Sequence, residues 1–265
     1  MLAANTYRAK GGQQKAMVVR DVCPVCGAQH FKNNGPIHHG KQNHQCKACG
    51  RQFVLEAANH MIAEEQRTLV ERILCEKISL HGICRVVGVS IRWLMNCIVT
   101  CFKALPDHLH VKPLASPRDV IIGRLEVEAD EMWSFVKQRT NKQWIWIAMD
   151  KQTRQIIAFH VGDRSHDRAQ QLWANLPAVY RERAMFYTDQ YEVYKGVIPA
   201  AQHKAIPKKA RKTNHIERFN NTLRQRVSRL VRDTLAFSKK LANHIGAIKY
   251  FICHHNLTRA PALPV

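Results

Sequence analysis

The sequence predicts an α/β protein: a mixed sheet flanked by helices, preceded by a small cysteine-pinned ribbon and a helix-turn-helix. Three observations carry this. Two Cys-x-x-Cys pairs lie near the N-terminus, apolar residues recur at helical intervals between residues 63 and 102, and from Glu126 onward strand-like runs give way to alternating helix and strand.

Residues 1–20 place Lys10, Lys15 and Arg20 around Gly11-Gly12-Gln13-Gln14 without sustained periodicity, which predicts a flexible basic lead-in. A ribbon is expected over residues 21–58. Cys23-Pro-Val-Cys26-Gly27 and Cys46-Lys-Ala-Cys49-Gly50 are separated by nineteen residues. Each pair puts two thiolates on a tight turn relieved by the following glycine, and four thiolates suit tetrahedral Zn²⁺ in a structural role, since four protein ligands leave no open position. Between them, His30–Gly35 and Gly40–Gln45 read as short strands joined near Pro36, and His30, His38, His39 and His44 are expected to be polar loop residues.

Over residues 60–102 the apolar positions mark three helices: Leu69, Ile73 and Leu74, then Ile83, Val86 and Val87, then Ile91, Leu94, Met95 and Ile98. Gly88 breaks the pattern and Ser90 is suited to cap the third helix, so the last two form a helix-turn-helix. The same pattern also describes an ordinary packing module. As a DNA-binding unit it would offer Arg92, Trp93 and Asn96 to the major groove. Cys75, Cys84, Cys97 and Cys101 fall on the apolar side and read as small core residues. Residues 103–122, with Pro106, Pro113 and Pro117, have the composition of a linker between domains.

The last region, 123–258, opens on Glu126-Val-Glu-Ala-Asp130-Glu-Met-Trp-Ser-Phe-Val136, in which Val127 and Ala129 alternate with Glu126, Glu128 and Asp130. Acids are depleted in strands, and a charge near a core needs a counter-ion or metal. Glu128 shares the face of Asp130, and Glu131 points the other way. Two further runs, Gln143–Met149 and Gln155–Val161, flank a turn at Asp150–Arg154 and complete a three-stranded antiparallel unit. A helix over Ser165–Leu176, a strand over Met185–Thr188 ending at Asp189, a helix over Tyr191–Gly196 and a short run at His203–Ile206 precede a long helix opening near Thr213. This order is that of the ribonuclease-H-like fold. Asp150, Asp163 and Asp167 read as turn and cap residues, and Trp133, Trp144, Trp146 and Trp173 as core.

The chemistry is expected where three acids meet. Asp130 on a strand, Asp189 at the end of a later strand and Glu217 on a following helix can gather at one sheet edge. There they can hold two Mg²⁺ (or Mn²⁺) ions for an in-line phosphoryl transfer, as in a nuclease or strand transferase. The helix supports this arrangement. Ile216, Phe219, Leu223, Val227 and Leu230 form its apolar stripe, while Glu217, Asn221, Arg224 and Ser228 form a flanking polar line. From His203 to Arg259 there are fourteen Lys and Arg against two acids, so Glu217 stands in a basic field. His203 and His215 are alternatively surface histidines or phosphate contacts.

The whole chain carries 41 Lys and Arg against 20 Asp and Glu, a net charge of +21, which selects a polyanion partner. No apolar run reaches the roughly 20 residues of a membrane span, and no apolar leader opens the chain. The expectation is therefore a cytoplasmic, nucleoid-associated prokaryotic protein with no membrane partner. Nine cysteines in such a chain suggest metal ligands and buried thiols before disulfides.

Glu-Ala-Asp130-Glu-Met-Trp133, Tyr-Thr-Asp189-Gln-Tyr-Glu-Val-Tyr194 and His-Ile-Glu217-Arg-Phe-Asn-Asn-Thr-Leu-Arg224-Gln resemble the motifs of the insertion-sequence-one family of DDE transposases, over about residues 20–255. The resemblance implies that Asp130, Asp189 and Glu217 are the metal-binding triad and that Arg224 is a basic DNA contact. Twenty-seven residues separate Asp189 from Glu217, more than that family leads one to expect, and the Lys208-Lys209-Ala-Arg211-Lys212 insert accounts for the excess. The implied function is a transposase that binds terminal inverted repeats and target DNA, cleaves and transfers strands, and works as a homo-oligomer. Lys208, Lys209, Arg211, Lys212 and Arg224 would position the DNA backbone. The alternatives are a non-enzymatic DNA-binding regulator of transposition, which would bind the repeats without nicking them, and a nuclease of the same fold, which would nick without joining.

Overall fold

The computed structural model describes residues 18–19, 21–38, 40–57, 62–112, 125–207, 213–230 and 238–259. The lead-in before Val18 with Arg20, His39, residues 113–122 of the predicted linker with the two that follow, and the Lys208, Lys209, Arg211 and Lys212 insert lie outside the described residues. The chain divides into two compact units, residues 1–67 and 68–265.

In the first unit, β1 (Val18–Val19) pairs antiparallel with β5 (Glu56–Ala57), and β2 (Phe31–Pro36), β3 (Gln42–Cys46) and β4 (Gln52–Phe53) form a three-stranded antiparallel sheet. Cys23, Cys46 and Phe53 make its small core. His44 departs from its loop expectation: it lies in β3, buried, with its ring 5.3 Å from that of Phe31 and 6.1 Å from that of Phe53. A ribbon this small has few apolar residues, so the imidazole supplies part of the packing.

Helix α1 (Glu64–Ile73) begins at the end of the first unit, and the second unit continues with α2 (Leu80–Val87) and α3 (Ile91–Lys103). Ser79 Oγ accepts the Gly82 N–H at 3.0 Å and Ser90 Oγ the Trp93 N–H at 3.2 Å, so each helix is capped by the serine before it. The α2 and α3 axes are bent by 110°, the geometry of a helix-turn-helix. Of the cysteines expected in its core, Cys75 is buried, whereas Cys84, Cys97 and Cys101 are partly exposed.

A mixed five-stranded sheet has the order β10 (His203–Ala205), β9 (Met185–Thr188), β6 (Glu126–Phe135), β7 (Lys142–Asp150), β8 (Ile156–Gly162). Strands β6, β7 and β8 are antiparallel neighbours, while β9 joins β6, and β10 joins β9, in parallel. This is the ribonuclease-H-like arrangement. On one face Met132, Ile145, Ile147 and Met149 pack against Ile216, Phe219 and Leu223 of α6 (Asn214–Arg226) and Ile248, Phe251 and Ile252 of α7 (Leu241–Arg259). On the other, Val127, Ala129, Trp146 and Ala148 meet Ala169 and Leu172 of α4 (His166–Asn175), Tyr180 of α5 (Ala178–Arg183) and Tyr194. Residues Glu192–Gly196 form a 3₁₀ rather than an α-helix.

The linker expectation is corrected where it can be seen. Leu109 is buried, its carbonyl accepts Asn256 Nδ2 at 2.8 Å, and Lys249 Nζ donates to Leu105 O at 3.2 Å. The helix-turn-helix is likewise seated on the sheet unit: a Cβ at Gly246 of α7 would lie 2.3 Å from the Phe102 ring of α3, and Tyr250 Oη donates to Glu71 O at 3.0 Å. Prolines gave this segment a linker composition, but its apolar side chains had a core to join.

Candidate functional site

In the ribbon, the Sγ atoms of Cys23, Cys26, Cys46 and Cys49 all lie within 4.8 Å of one another, with Cys23 to Cys49 and Cys26 to Cys46 each 3.6 Å. The two knuckles repeat one geometry: the Gly27 N–H donates to Cys23 O at 2.9 Å, the Gly50 N–H to Cys46 O at 3.0 Å, and both glycines hold φ near +70° (72° and 73°), where a side chain would be strained. Hydrogen bonding from the Cys26 backbone, with that from Val25, brings the Cys23 thiol down to about 6 despite its burial, whereas, against a hydrogen bond from the Ala28 backbone, the Cys49 and Cys46 sulfurs push Cys26 up to about 12, as four thiols crowd together. The set fits zinc in both donor chemistry and compactness.

The carboxylates of the sheet unit are arranged differently. Strands β6 and β9 pair in parallel as far as Glu128 with Tyr187; Asp130 and Asp189 each lie two residues further on, so the second acid emerges beside the first. Asp189 Oδ1 accepts the Tyr191 N–H at 3.0 Å. Glu217 is exposed in the first turn of α6, where Thr213 Oγ1 donates to it at 3.0 Å. Burial first, and then the charges of Glu131, Asp189 and Glu217, push the Asp130 carboxyl up to about 7 against the opposing hydrogen bond from the Glu131 backbone. The other two predicted acids, Asp189 and Glu217, thus act on Asp130 together with Glu131. Among the described residues the four cysteines are the one set of three or more potential ligands gathered within 4.8 Å; the acids are coupled through charge at longer range. An all-oxygen, mutually repelling set fits a hard divalent cation, which would relieve the strain that raises Asp130.

Two groups that the sequence reading did not assign hold this arrangement. Asn220, at Glu217 plus three and buried, donates from Nδ2 to Asp130 Oδ2 at 2.8 Å. The i,i+3 spacing was the available signal. Glu128, which the sequence placed on the face of Asp130 without a role, is fully buried and accepts the backbone N–H groups of His215 and Ile216 with Oε2. Burial raises its pKa against those two bonds.

Glu131 faces the opposite side of β6, as expected. It accepts Arg164 Nε at 3.1 Å and Tyr194 Oη at 2.9 Å. The Arg164 guanidinium lies 4.4 Å from the Trp144 ring and 4.0 Å from that of Tyr191, which corrects the core reading of Trp144: it is half-buried and serves as a platform for an arginine. Trp146 is the fully buried tryptophan; Trp133 and Trp173 are half-buried. His203 Nε2 pairs with Thr188 Oγ1 at 2.8 Å, and His215 Nε2 stands 4.0 Å from Glu128 Oε1.

Of the candidate DNA contacts, Arg92 and Asn96 are exposed on the first turns of α3 and Trp93 is half-buried. Arg224 lies on the same side of α6 as Glu217, two turns along and half-buried. Among the described residues no single helix is long and apolar enough to cross a membrane.

The InsB protein of insertion element iso-IS1n from Shigella dysenteriae is 34% identical over 131 residues, covering 48% of this chain and 94% of that protein. The InsB protein of IS1 from Shigella flexneri is 32% identical over 125 residues, covering 47% and 92%. Among solved structures, the Mos1 transposase paired-end complex with left transposon end gives a TM-score of 0.29 at 15% identity, covering 77% of this chain and 79% of that one. The model of the IS1 transposase family matches residues 122–258. With more than half of its length in that match, the chain belongs to the IS1 transposase family.

Proposed function

We propose that this transposase binds the terminal inverted repeats of its element through residues 21–102 and cuts and rejoins DNA strands at Asp130, Asp189 and Glu217. The observation that supports this reading most directly is the elevation of the Asp130 carboxyl to about 7 by burial and by acids from separate segments of the chain. Such mutual repulsion persists in folds where it serves a site. Asp130, Asp189 and Glu217 would hold Mg²⁺ or Mn²⁺, which when bound would activate the attacking oxygen and stabilise the leaving one.

The protein's own groups prepare that step. Asn220 fixes the Asp130 carboxylate, Glu128 sets the start of the helix that carries Glu217, and Arg224 offers a guanidinium fork to a backbone phosphate two turns away. In cleavage, a water oxygen bonds to phosphorus as the 3′-oxygen of the element end leaves. In transfer, that freed 3′-hydroxyl attacks a target phosphodiester and displaces the target's own 3′-oxygen, so no covalent enzyme intermediate or nucleotide is required. Exposed Arg92 and Asn96 of α3 would read the repeats, with two or more protomers holding the paired ends. The test uses a labelled terminal repeat, with Mg²⁺ or with chelator. Asp130→Ala and Asp189→Ala are expected to abolish nicking and strand-transfer products while the repeat is still bound; a variant that still cuts in Mg²⁺ removes the assignment.

A further inference from the structure

Helix α6 carries a second face. Turned away from Glu217, Asn220 and Arg224, the side chains of His215, Arg218 and Arg226 line a cleft of about 480 Å³ that His255 and Arg259 of α7 and Arg154 of the β7–β8 turn complete. That is within the range of ligand sites, roughly 300–1,000 Å³, and far more than the ~30 Å³ of one water. Four arginines meet there, and among the described residues no acid lines the cleft. Arg226 already has a partner in Glu76, at 2.5 Å, and lies over the Phe251 ring.

Arg154 is the informative member. Its φ is +63°, a conformation that non-glycine residues adopt rarely and that clusters at functional sites. The turn fixes it there: Asp150 Oδ1 accepts the N–H groups of Gln152 and Thr153, the Arg154 N–H donates to Asp150 O at 2.9 Å, and His255 Nε2 meets Arg154 O at 3.0 Å. The side chain so placed buries its Nη1 without a hydrogen-bond partner among the described residues. Burial lowers its pKa; the charge of Glu128 opposes this, and those of Arg259 and Arg218 add to it. Beside the guanidiniums of Arg259 and Arg218, and with the charges of Glu128 and Asp150 near but giving it no hydrogen bond, this N–H suits an oxyanion, and the planar fork of arginine matches the oxygens of phosphate.

We propose that this cleft binds a phosphate group, and that in the working complex it seats a backbone phosphate of DNA on the side of α6 away from the carboxylates. The DNA occupant rests on the function proposed above; phosphate binding does not.

The full chain tests both parts. Inorganic phosphate, against chloride at matched ionic strength, is expected to raise the Tm of the wild type, because a ligand that binds only the folded state stabilises it by mass action. Arg154→Gly relaxes the backbone while deleting the fork, and together with Arg259→Gln it is expected to abolish that rise. On a terminal-repeat duplex the same double variant should bind more weakly on all sequences alike, with the slope of log K against log salt shallower by about 1–2. Arg154→Lys, which keeps the charge, should retain only part of either effect. An equal phosphate-induced rise in wild type and double variant overturns the site. Loss of the rise with an unchanged salt slope overturns the DNA occupant and leaves a site for free phosphate. A chain that keeps the phosphate effect but never nicks DNA would overturn the function proposed above and not the cleft.

Discussion

The Glu128 carboxylate accepts the backbone N–H groups of His215 at 3.0 Å and Ile216 at 2.9 Å, so a residue of β6 caps the helix that carries Glu217. Thr213, the residue in the capping position, makes no such bond with its side chain. An anion there also complements the positive end of the helix. The strand with Asp130 and the helix with Glu217 are thereby fixed to each other by one side chain. Glu128→Ala leaves two buried donors unpaired and is expected to destabilise the fold by about 2–4 kcal/mol. Glu128→Gln keeps an acceptor, so its loss of stability should be smaller. Both variants should cut DNA more slowly at temperatures where urea titration shows them folded. Wild-type cutting by Glu128→Gln would mean that the carboxylate is a structural cap and nothing more.

The ribbon predicts a separate response to metal removal. Its core is three buried side chains, Cys23, Cys46 and Phe53, too little to hold a fold of this size without a staple. The purified chain is expected to carry one zinc, released on titration of its thiols. Chelation, or Cys46→Ser, should open the ribbon to limited proteolysis while strands β6 to β9 and helices α6 and α7, with their own core, stay protected. Equal protection of the ribbon with and without chelator would contradict a structural zinc.

Acid sensitivity should be traceable to His244. This histidine of α7 is fully buried against β6, with Nε2 at 2.9 Å from Ser134 Oγ, and burial, aided by the charge of Arg229, lowers its pKa from 6.5 to about 4. In that window the unfolded chain holds the extra proton, so stability is complete above about pH 6.5 and falls as the pH drops toward 4. At about 1.4 kcal/mol per pKa unit the loss approaches 3 kcal/mol. Buried carboxylates add their own slopes, so the readout is a difference. His244→Gln should lose less stability than the wild type between pH 6.5 and 4, and parallel curves for the two would exclude His244 as the source.

Much of this was legible because period and burial agree. Ile216, Phe219 and Leu223 are buried on α6 as their spacing required, and Val227 and Leu230 are buried although the helix ends before them at Arg226. Val127 and Ala129 lie on the inner surface opposite the face of Glu128 and Asp130. Asp130 could be chosen because a charge on a buried strand calls for a partner, whereas Asp189 and Glu217 were chosen for their places at the end of a later strand and on a following helix and for the resemblance of their motifs. What sequence could not supply was contact at long range. The bond from Glu128 to Ile216 spans 88 residues, and Asn220 looks like any polar helix residue until Asp130 stands 2.8 Å away. Helix α5, six residues after Pro177, is too short to show a period. Trp144 read as core because a half-buried tryptophan under an arginine has the same sequence signature as a buried one.

Arg164 provides the most discriminating test of the carboxylate site. Its guanidinium, between Trp144 and Tyr191, donates from Nε and Nη2 to Glu131 Oε1 at 3.1 and 2.5 Å. Burial raises the Glu131 pKa, the Arg164 and Tyr194 hydrogen bonds oppose that, and Asp189 adds to it, while the Glu131 charge in turn raises Asp130. Arg164→Ala removes the cation but keeps the acid, so Asp130 should be harder to ionise. The Mg²⁺-dependent cleavage profile is then expected to move to higher pH, with slower cutting at neutral pH. The arginine side chain is 40% exposed but that of Glu131 only 2%, so removing the cation leaves a buried carboxylate and the loss of stability should exceed the roughly 1 kcal/mol of a surface pair. Arg164→Lys retains charge without the fork or the stacking and should fall between the two. Adding Glu131→Gln to Arg164→Ala removes the uncompensated acid and should return the profile toward its original position, a coupling that general loosening of the fold would not produce. An unshifted profile in Arg164→Ala would show that Glu131 and its arginine do not act on the acidity of Asp130.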